Sequence, residues 1–417
     1  VLVADSWWQS LLSSIAAVAA ILPGAGVPAV PLAPQAPTQA ARSDGWTGSW
    51  AAAVTEADKT GVSATGVANT TLRQVAHLSV GGGSVRVRFS NRFGTRPLVI
   101  GRTTVAPRRA ALAGTPTVEL LQLVPLTFGG RGSTTIPVGA EVVSDAVALP
   151  VAEDSDLVVS TYFPQPTGPL TQHPAGYATA FSAHGDQTGS GGAPYRKVVG
   201  MARYVVDGVD VRGDAEGSVV LFGDSITDGA SSPIDKNLRY PDQLADLLLT
   251  RGFGALNIGI AGNRLLANGG TSGEAALGRF DRDVIRWPGV RSVVILEGIN
   301  DIRISRGSIS ATQLINAHRQ LISRAHAAGL KAYGATLTPY WASEQYTVGG
   351  EVARQALNHW IRTSGEYDGF VDFEHAVRDP KAPLQLLAAY DSGDHLHPNA
   401  AGFTAMARAV DLDLLTR

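Results

Sequence analysis

From Ser218 onward the sequence alternates between short apolar runs and stretches of helical spacing, and this alternation restricts the fold more than any other feature. Candidate strands fall at 218–222, 255–260, 291–297, 330–336 and 369–373. Candidate helices fall near 240–251, 274–285, 311–328, 350–363 and 398–414. Ala311 to Ala328 carries Leu314, Ile315, Leu321 and Ile322 at helical spacing, which makes one core-facing stripe. Strands that alternate with helices need crossover connections. They imply a parallel sheet with helices on both faces. In such a sheet, functional side chains gather beyond the carboxyl ends of the strands.

The first strand, Val219 to Phe222, breaks at Gly223 into a polar turn that presents Ser225. A strand fixes such a serine and the turn exposes it, which suits a nucleophile. The same position suits a helix N-cap. The second strand ends in Gly259-Ile260-Ala261-Gly262-Asn263 and the third in Glu297-Gly298-Ile299-Asn300-Asp301. Before the last helix comes Asp394-His395-Leu396-His397-Pro398. Asp394 and His397, three apart, fall on one side of a turn. A carboxylate there can fix the imidazole tautomer and stabilise the imidazolium. Acyl transfer also needs donors aimed at an oxyanion. The candidates are the backbone N–H groups of Ser225 and Gly262 and the side-chain amide of Asn300. A glycine at 262 permits close approach of substrate to the backbone.

These blocks resemble those of the SGNH hydrolases, the GDSL esterase/lipase family. Gly223-Asp224-Ser225-Ile226 matches the first block with Ile for Leu, and Gly262 matches the glycine of the second. Gly298-Ile299-Asn300-Asp301 matches G-x-N-D, and Asp394 to Pro398 matches D-x-x-H-P. The match covers about residues 218 to 417. The resemblance implies a flavodoxin-like parallel sheet, with Ser225 as nucleophile, His397 as base and then acid, and Asp394 as orienter. It also implies Ser225 N–H, Gly262 N–H and Asn300 as the oxyanion hole. No metal or organic cofactor is expected.

Other residues near these blocks have plainer readings. His395 competes with His397, but the family spacing and Pro398 favour His397, leaving His395 to pack or meet solvent. Asp224 reads as a local backbone acceptor, and Asp228 and Asp301 as loop supports. Asn263 and Arg264 are candidates for substrate contact or for a surface or inter-loop role. Glu297 reads as a structural hydrogen-bonding group. A glycosidase pair of carboxylates is an alternative in principle, though Ser, His and Asp explain more residues with one mechanism.

Upstream, Trp46 to about Arg203 reads as short strands. Ser84 to Phe89 alternates cleanly, with Val85, Val87 and Phe89 on one face. Leu98–Ile100, Val118–Val124, Ala140–Leu149 and Leu157–Phe163 are further candidates, punctuated by Gly/Pro turns. The pattern predicts an all-β, jelly-roll-like sandwich, a region that also resembles the β-rich part of secreted actinobacterial members of the family. Asn91, Arg92, Trp50 and His77 are candidates for a sugar groove or for turn and packing roles. Residues 204–217 read as a turn-rich linker. At the start, Leu11 to Leu22 is apolar but too short to span a bilayer, and it fits a secretory h-region despite having no preceding Lys or Arg. An Ala/Pro-rich spacer follows to residue 41.

The expected organisation is therefore a signal-like segment and linker at 1–41, a β-sandwich accessory domain at 46–203, a linker at 204–217 and a catalytic domain at 218–417. A formal charge of −2 gives no basis for a nucleic-acid partner. The absence of cysteine excludes disulfides, thiolate metal sites and a cysteine nucleophile. The expectation is a secreted serine esterase acting on small-molecule or polysaccharide esters, with short-chain acyl or carbohydrate O-acetyl groups. The alternatives are a lipase or phospholipase, an acyltransferase with the same site, or a carbohydrate-binding protein with a vestigial catalytic half.

Overall fold

The computed structural model describes residues 45–109 and 114–417. Five strands form the expected parallel sheet: Gly217–Gly223, Phe253–Gly259, Val290–Leu296, Lys331–Ala335 and Gly369–Val371. The second strand in sequence lies at one edge, next to the first, and the third, fourth and fifth follow in turn. This 2-1-3-4-5 order places a switch point beside the first strand, where ligands bind in doubly wound sheets. The first strand is buried along its whole length, as its apolar run requires.

Helices cover both faces of this sheet. Ala311–Ala327 begins with a capping box, in which Ser310 accepts from Gln313 N and the Gln313 side chain accepts from Ser310 N. It buries Leu314, Leu321 and Ile322, while Ile315 packs at the margin. Val348–Thr363 starts at a Thr347 cap and Ala400–Arg408 at an Asn399 cap. Two predicted helices are shorter than the spacing suggested. The 398–414 stretch breaks into Ala400–Arg408 and Leu412–Leu415, the second started by its own Asp411 cap. The 274–285 stretch becomes Ala276–Phe280 followed by a wide turn through Ile285.

The β-rich region consists mostly of antiparallel sheets. One joins Trp46–Ala51, Val206–Arg212, Gly82–Ser90 and Glu141–Val143, with Val147–Val151 also on Gly82–Ser90. The other centres on Thr70–Leu78 and Ser155–Phe163. Val85, Val87 and Phe89 from the first share a core with Leu72, Leu78, Leu157 and Val159 from the second, as the alternation of Ser84 to Phe89 requires.

The linker expected at 204–217 is a correction. Val206–Arg212 is an inner strand, paired on both sides, and six of its seven residues are buried. Its glycines and aspartates disguise it, because Asp210 is neutralised by Arg86 and Arg88. Val118–Val124 is likewise not one strand: a 3₁₀ turn at Leu120–Gln122 precedes the strand Val124–Leu126. Ala140–Leu149 is interrupted between Val143 and Val147.

The two halves are in direct contact. Ser218 Oγ donates to Gly48 O at 2.6 Å, Gly48 N to Pro288 O at 2.9 Å and Ala255 N to Ser79 Oγ at 3.1 Å. Arg92 pairs with Glu274 at 2.7 Å, and Arg286 pairs with Glu141. No helix among the described residues is long and apolar enough to cross a membrane. The segment at 1–41 lies outside the described residues.

Candidate active site

At the carboxyl end of the first strand the chain turns into a single helical turn, Ser225–Asp228. Asp224 is its N-cap and accepts from Ile226 N at 3.0 Å, so the cap that a serine could have supplied comes from its neighbour. Ser225 is thereby the first helical residue, whose N–H has no acceptor within the turn. Its hydroxyl lies 2.8 Å from His397 Nε2. His397 Nδ1 lies 2.5 Å from Asp394 Oδ2. Ionised, the carboxylate can only accept, so Nδ1 carries the hydrogen and Nε2 is left to accept the serine proton.

The loop that carries the histidine is fixed locally. Asp394 Oδ1 accepts from Leu396 N, His397 N and Ser392 Oγ at 3.0, 2.8 and 3.1 Å. Asn399 donates to Ala389 O and Asp391 O and caps the next helix. Burial works against the Asp394 charge, but the hydrogen bonds from the His397 ring, His397 N and Leu396 N win, and hold its carboxyl well below the usual carboxylate range. His395 points elsewhere and pairs with Asp391 at 2.6 Å, with its ring side more than half exposed. Its backbone is in the left-handed region (φ 62°), which turns it away from its neighbour.

Two other strand ends complete the arrangement. Gly262 has φ 76°, and a Cβ there would meet Ser272 Oγ at 2.6 Å, so the second loop needs glycine at this position. Asn300 is in the helical turn Ile299–Ile304 after the third strand. Its Oδ1 accepts from Arg303 Nη1 and its Nδ2 donates to Asn263 O, both at 3.0 Å. These two contacts fix which end of the amide is nitrogen and leave a second N–H on Nδ2. Asp301 accepts from Leu265 N and Leu266 N at 2.7 and 3.0 Å, and Asp228 accepts from Ala261 N at 2.8 Å. Both are loop supports, as expected.

Asn263 is not available to substrate, which corrects its reading as a contact residue. It is fully buried; Nδ2 donates to Ser272 O and Glu274 O, and Oδ1 accepts from Arg279 Nε. Arg264 is half-buried and donates to Asn268 O. The proposed sugar-groove residues have packing roles. Asn91 is buried and donates to Arg96 O, Ile136 O and Pro137 O. Trp50 lies under Arg203, His77 pairs with Asp154 and Asp156, and Arg92 is spent on Glu274.

Three residues were not singled out by sequence. Arg279 is fully buried and ties the strand ends together: it donates to Gly223 O, Ile258 O, Glu297 and Asp283, and its guanidinium stacks 4.1 Å over Phe222. Arg303 orients Asn300, and His173 reaches Asp228 from the β-rich region. An arginine on a helix ordinarily reads as surface, and only the buried carboxylate of Glu297 hinted at a partner. Glu297 is structural, as read. Burial raises its pKa well above the usual range, Asp224 adds to the rise, and Arg279 opposes it. Burial also pushes Asp224 up to about 6, against its hydrogen bond from Ile226 N.

Residues 221–405 match the GDSL-like lipase/acylhydrolase family, so the chain carries a domain of that family and is a carboxylic ester hydrolase. No curated protein matches the chain. Among solved structures, it is similar to a lipolytic protein of the G-D-S-L family from Desulfitobacterium hafniense (19% identity, TM-score 0.37, 46% of this chain and 99% of that one). It is also similar to a carbohydrate acetylesterase from Sinorhizobium meliloti (18%, TM-score 0.38, 47% and 96%). A third is the M. smegmatis aryl esterase (15%, TM-score 0.39, 46% and 95%).

Proposed function

We propose that the protein is a secreted serine esterase that hydrolyses short-chain acyl or carbohydrate O-acetyl esters through an acyl-enzyme. The observation that carries this reading is the continuous relay from Ser225 Oγ to His397 Nε2 at 2.8 Å and from His397 Nδ1 to Asp394 at 2.5 Å. In the proposed reaction, His397 Nε2 takes the Ser225 proton as Oγ attacks the ester carbonyl. Ser225 N–H, Gly262 N–H and the second N–H of Asn300 receive the oxyanion. The C–O bond to the alcohol breaks, and the alcohol leaves with the proton held by His397. Water, deprotonated in turn by His397, attacks the acyl-serine. Collapse of that second tetrahedral intermediate frees the acid and restores Ser225. Asp394 stays ionised throughout and holds the imidazolium.

Export rests on the apolar segment from Leu11 to Leu22 and the Ala/Pro-rich stretch after it. The test of substrate is a series of p-nitrophenyl esters by chain length beside acetylated xylan, repeated with a sugar or glycerol acceptor. The reading expects kcat/KM to fall beyond short acyl chains, acetate to be released from the xylan, and hydrolysis to exceed transfer. A rise in kcat/KM with chain length would favour a lipase, for which Leu266 and Ile304 offer exposed apolar side chains after Gly262 and on the helical turn of Asn300. Detection of the protein in culture medium rather than in cells tests export.

A further inference from the structure

The nucleophile turn is not held by its own half of the chain alone. Asp228 closes the helical turn that Ser225 opens, and it is buried. Its two oxygens serve different regions. Oδ2 accepts the Ala261 N–H at 2.8 Å, so it fixes the residue just before Gly262. Oδ1 lies 3.0 Å from Nε2 of His173, a buried residue of the β-rich region. His173 Nδ1 in turn lies 2.7 Å from Ala53 O. A carbonyl only accepts, so Nδ1 carries hydrogen. Nε2 then faces a carboxylate oxygen, and a proton lies between them. The series Ala53 C=O, His173, Asp228, Ala261 N–H therefore runs fully satisfied from the β-rich region to the loop of Gly262.

The physical demand for such a tether is plain. The nucleophile and the Gly262 donor sit on loops after two different strands, and a misplacement of about 1 Å can cost about 10²-fold in rate. Backbone packing supplies part of the restraint, since a Cβ on Gly259 would meet Asp228 N at 2.1 Å. Side-chain direction is a separate matter. Without His173, the buried Asp228 carboxylate would keep only the Ala261 donor, and a buried charge so poorly paired turns away, hydrates or protonates.

We propose that His173 is a positioning residue for ester hydrolysis: acting through Asp228, it sets the Ser225 turn against the Gly262 N–H, so the β-rich region completes the active site. This rests on the triad reading given above. The test compares H173A, D228A, D228N and R286A in the full chain, with S225A in parallel. H173A and D228A should lower kcat about 10- to 10²-fold, leave KM within about threefold and melt cooperatively. D228N should recover most of kcat, because its amide nitrogen can donate to an unprotonated Nε2 while its oxygen still accepts from Ala261. R286A breaks the Arg286–Glu141 pair between the same two halves and should leave kcat near wild type. Nitrogen-15 spectra should show a hydrogen on His173 Nδ1 in both the wild type and D228N, with the Nε2 signal moving between them because its partner changes from a carboxylate to an amide. Wild-type kcat in H173A and D228A, or an R286A loss as large as that of H173A, overturns the tether. Should H173A fail to fold, the D228A/D228N pair and the wild-type spectrum decide. An active S225A overturns the triad reading, whereas an inactive S225A with a fully active H173A overturns the tether alone.

Discussion

Replacing Asn300 by alanine tests the oxyanion assignment on a residue whose every contact is known. Its amide has two N–H groups and one carbonyl oxygen. The oxygen accepts from Arg303 Nη1 and one N–H goes to Asn263 O, each at 3.0 Å. One N–H remains, on a nitrogen whose orientation Arg303 prevents from flipping. Loss of one preorganised donor costs about 10²–10³ in kcat, or about 3–4 kcal/mol of transition-state stabilisation. N300A should fall in that range with KM within about threefold, because the donor meets charge that develops only in the transition state. N300D keeps the Arg303 contact but puts a negative charge where a donor stood, so it should be at least as slow as N300A. The assay is steady-state hydrolysis of p-nitrophenyl acetate beside a thermal melt for each variant. An N300A kcat within threefold of wild type would refute the assignment, and the oxyanion would then rest on backbone donors alone.

Three further outcomes follow from the same contacts. R279L should cost about 3–5 kcal/mol in urea unfolding, because it takes a donor from the buried Asn263 Oδ1 and from the Gly223 and Ile258 carbonyls at once; a loss under 1 kcal/mol would show that Arg279 does not hold the strand ends together. H395A should keep kcat within about threefold while H397A loses it by at least 10³, since His395 pairs with Asp391 and not with Ser225; equal losses would contradict this division. Burial pushes the Asp207 carboxyl up from 3.8 to about 7, with Arg88 only partly opposing. The folded state thus keeps this proton longer than the unfolded chain does, and Asp207 removes stability as pH rises from about 4 through about 7. Relative to wild type, D207N should gain stability across that window, by on the order of 3–4 kcal/mol at its upper end; an equal pH dependence in both proteins would contradict it.

Much of this was legible in the sequence. The parallel sheet was readable because strands buried on both faces are continuous apolar runs, as Val219 to Phe222 is, and because Leu314, Leu321 and Ile322 repeat at helical spacing. The approach of Ser225, His397 and Asp394 was readable because each sits in a short block at a strand end or the late loop. The β-rich region was less so. Val206–Arg212 contains Asp207, Gly208 and Asp210, and local pattern cannot show that Arg86 and Arg88 arrive from 120 or more residues away to neutralise Asp210. For Asn263, its position beside Gly262 suggested substrate as well as an inter-loop role, and local pattern could not show that Arg279 and the Ser272 and Glu274 carbonyls use its side chain up. His173, in an unremarkable Gln172-His173-Pro174 stretch, gains meaning only from Asp228 across the interface.

The proposed reaction stands or falls on Ser225 as the nucleophile. The most direct measurement is mass spectrometry of the full chain after reaction with a fluorophosphonate, followed by peptide mapping, with S225A beside it. One adduct is expected, on Ser225, formed in step with loss of p-nitrophenyl acetate hydrolysis, and S225A should be folded, unlabelled and inactive. An adduct on another residue, or an S225A protein that keeps its esterase activity, would contradict it.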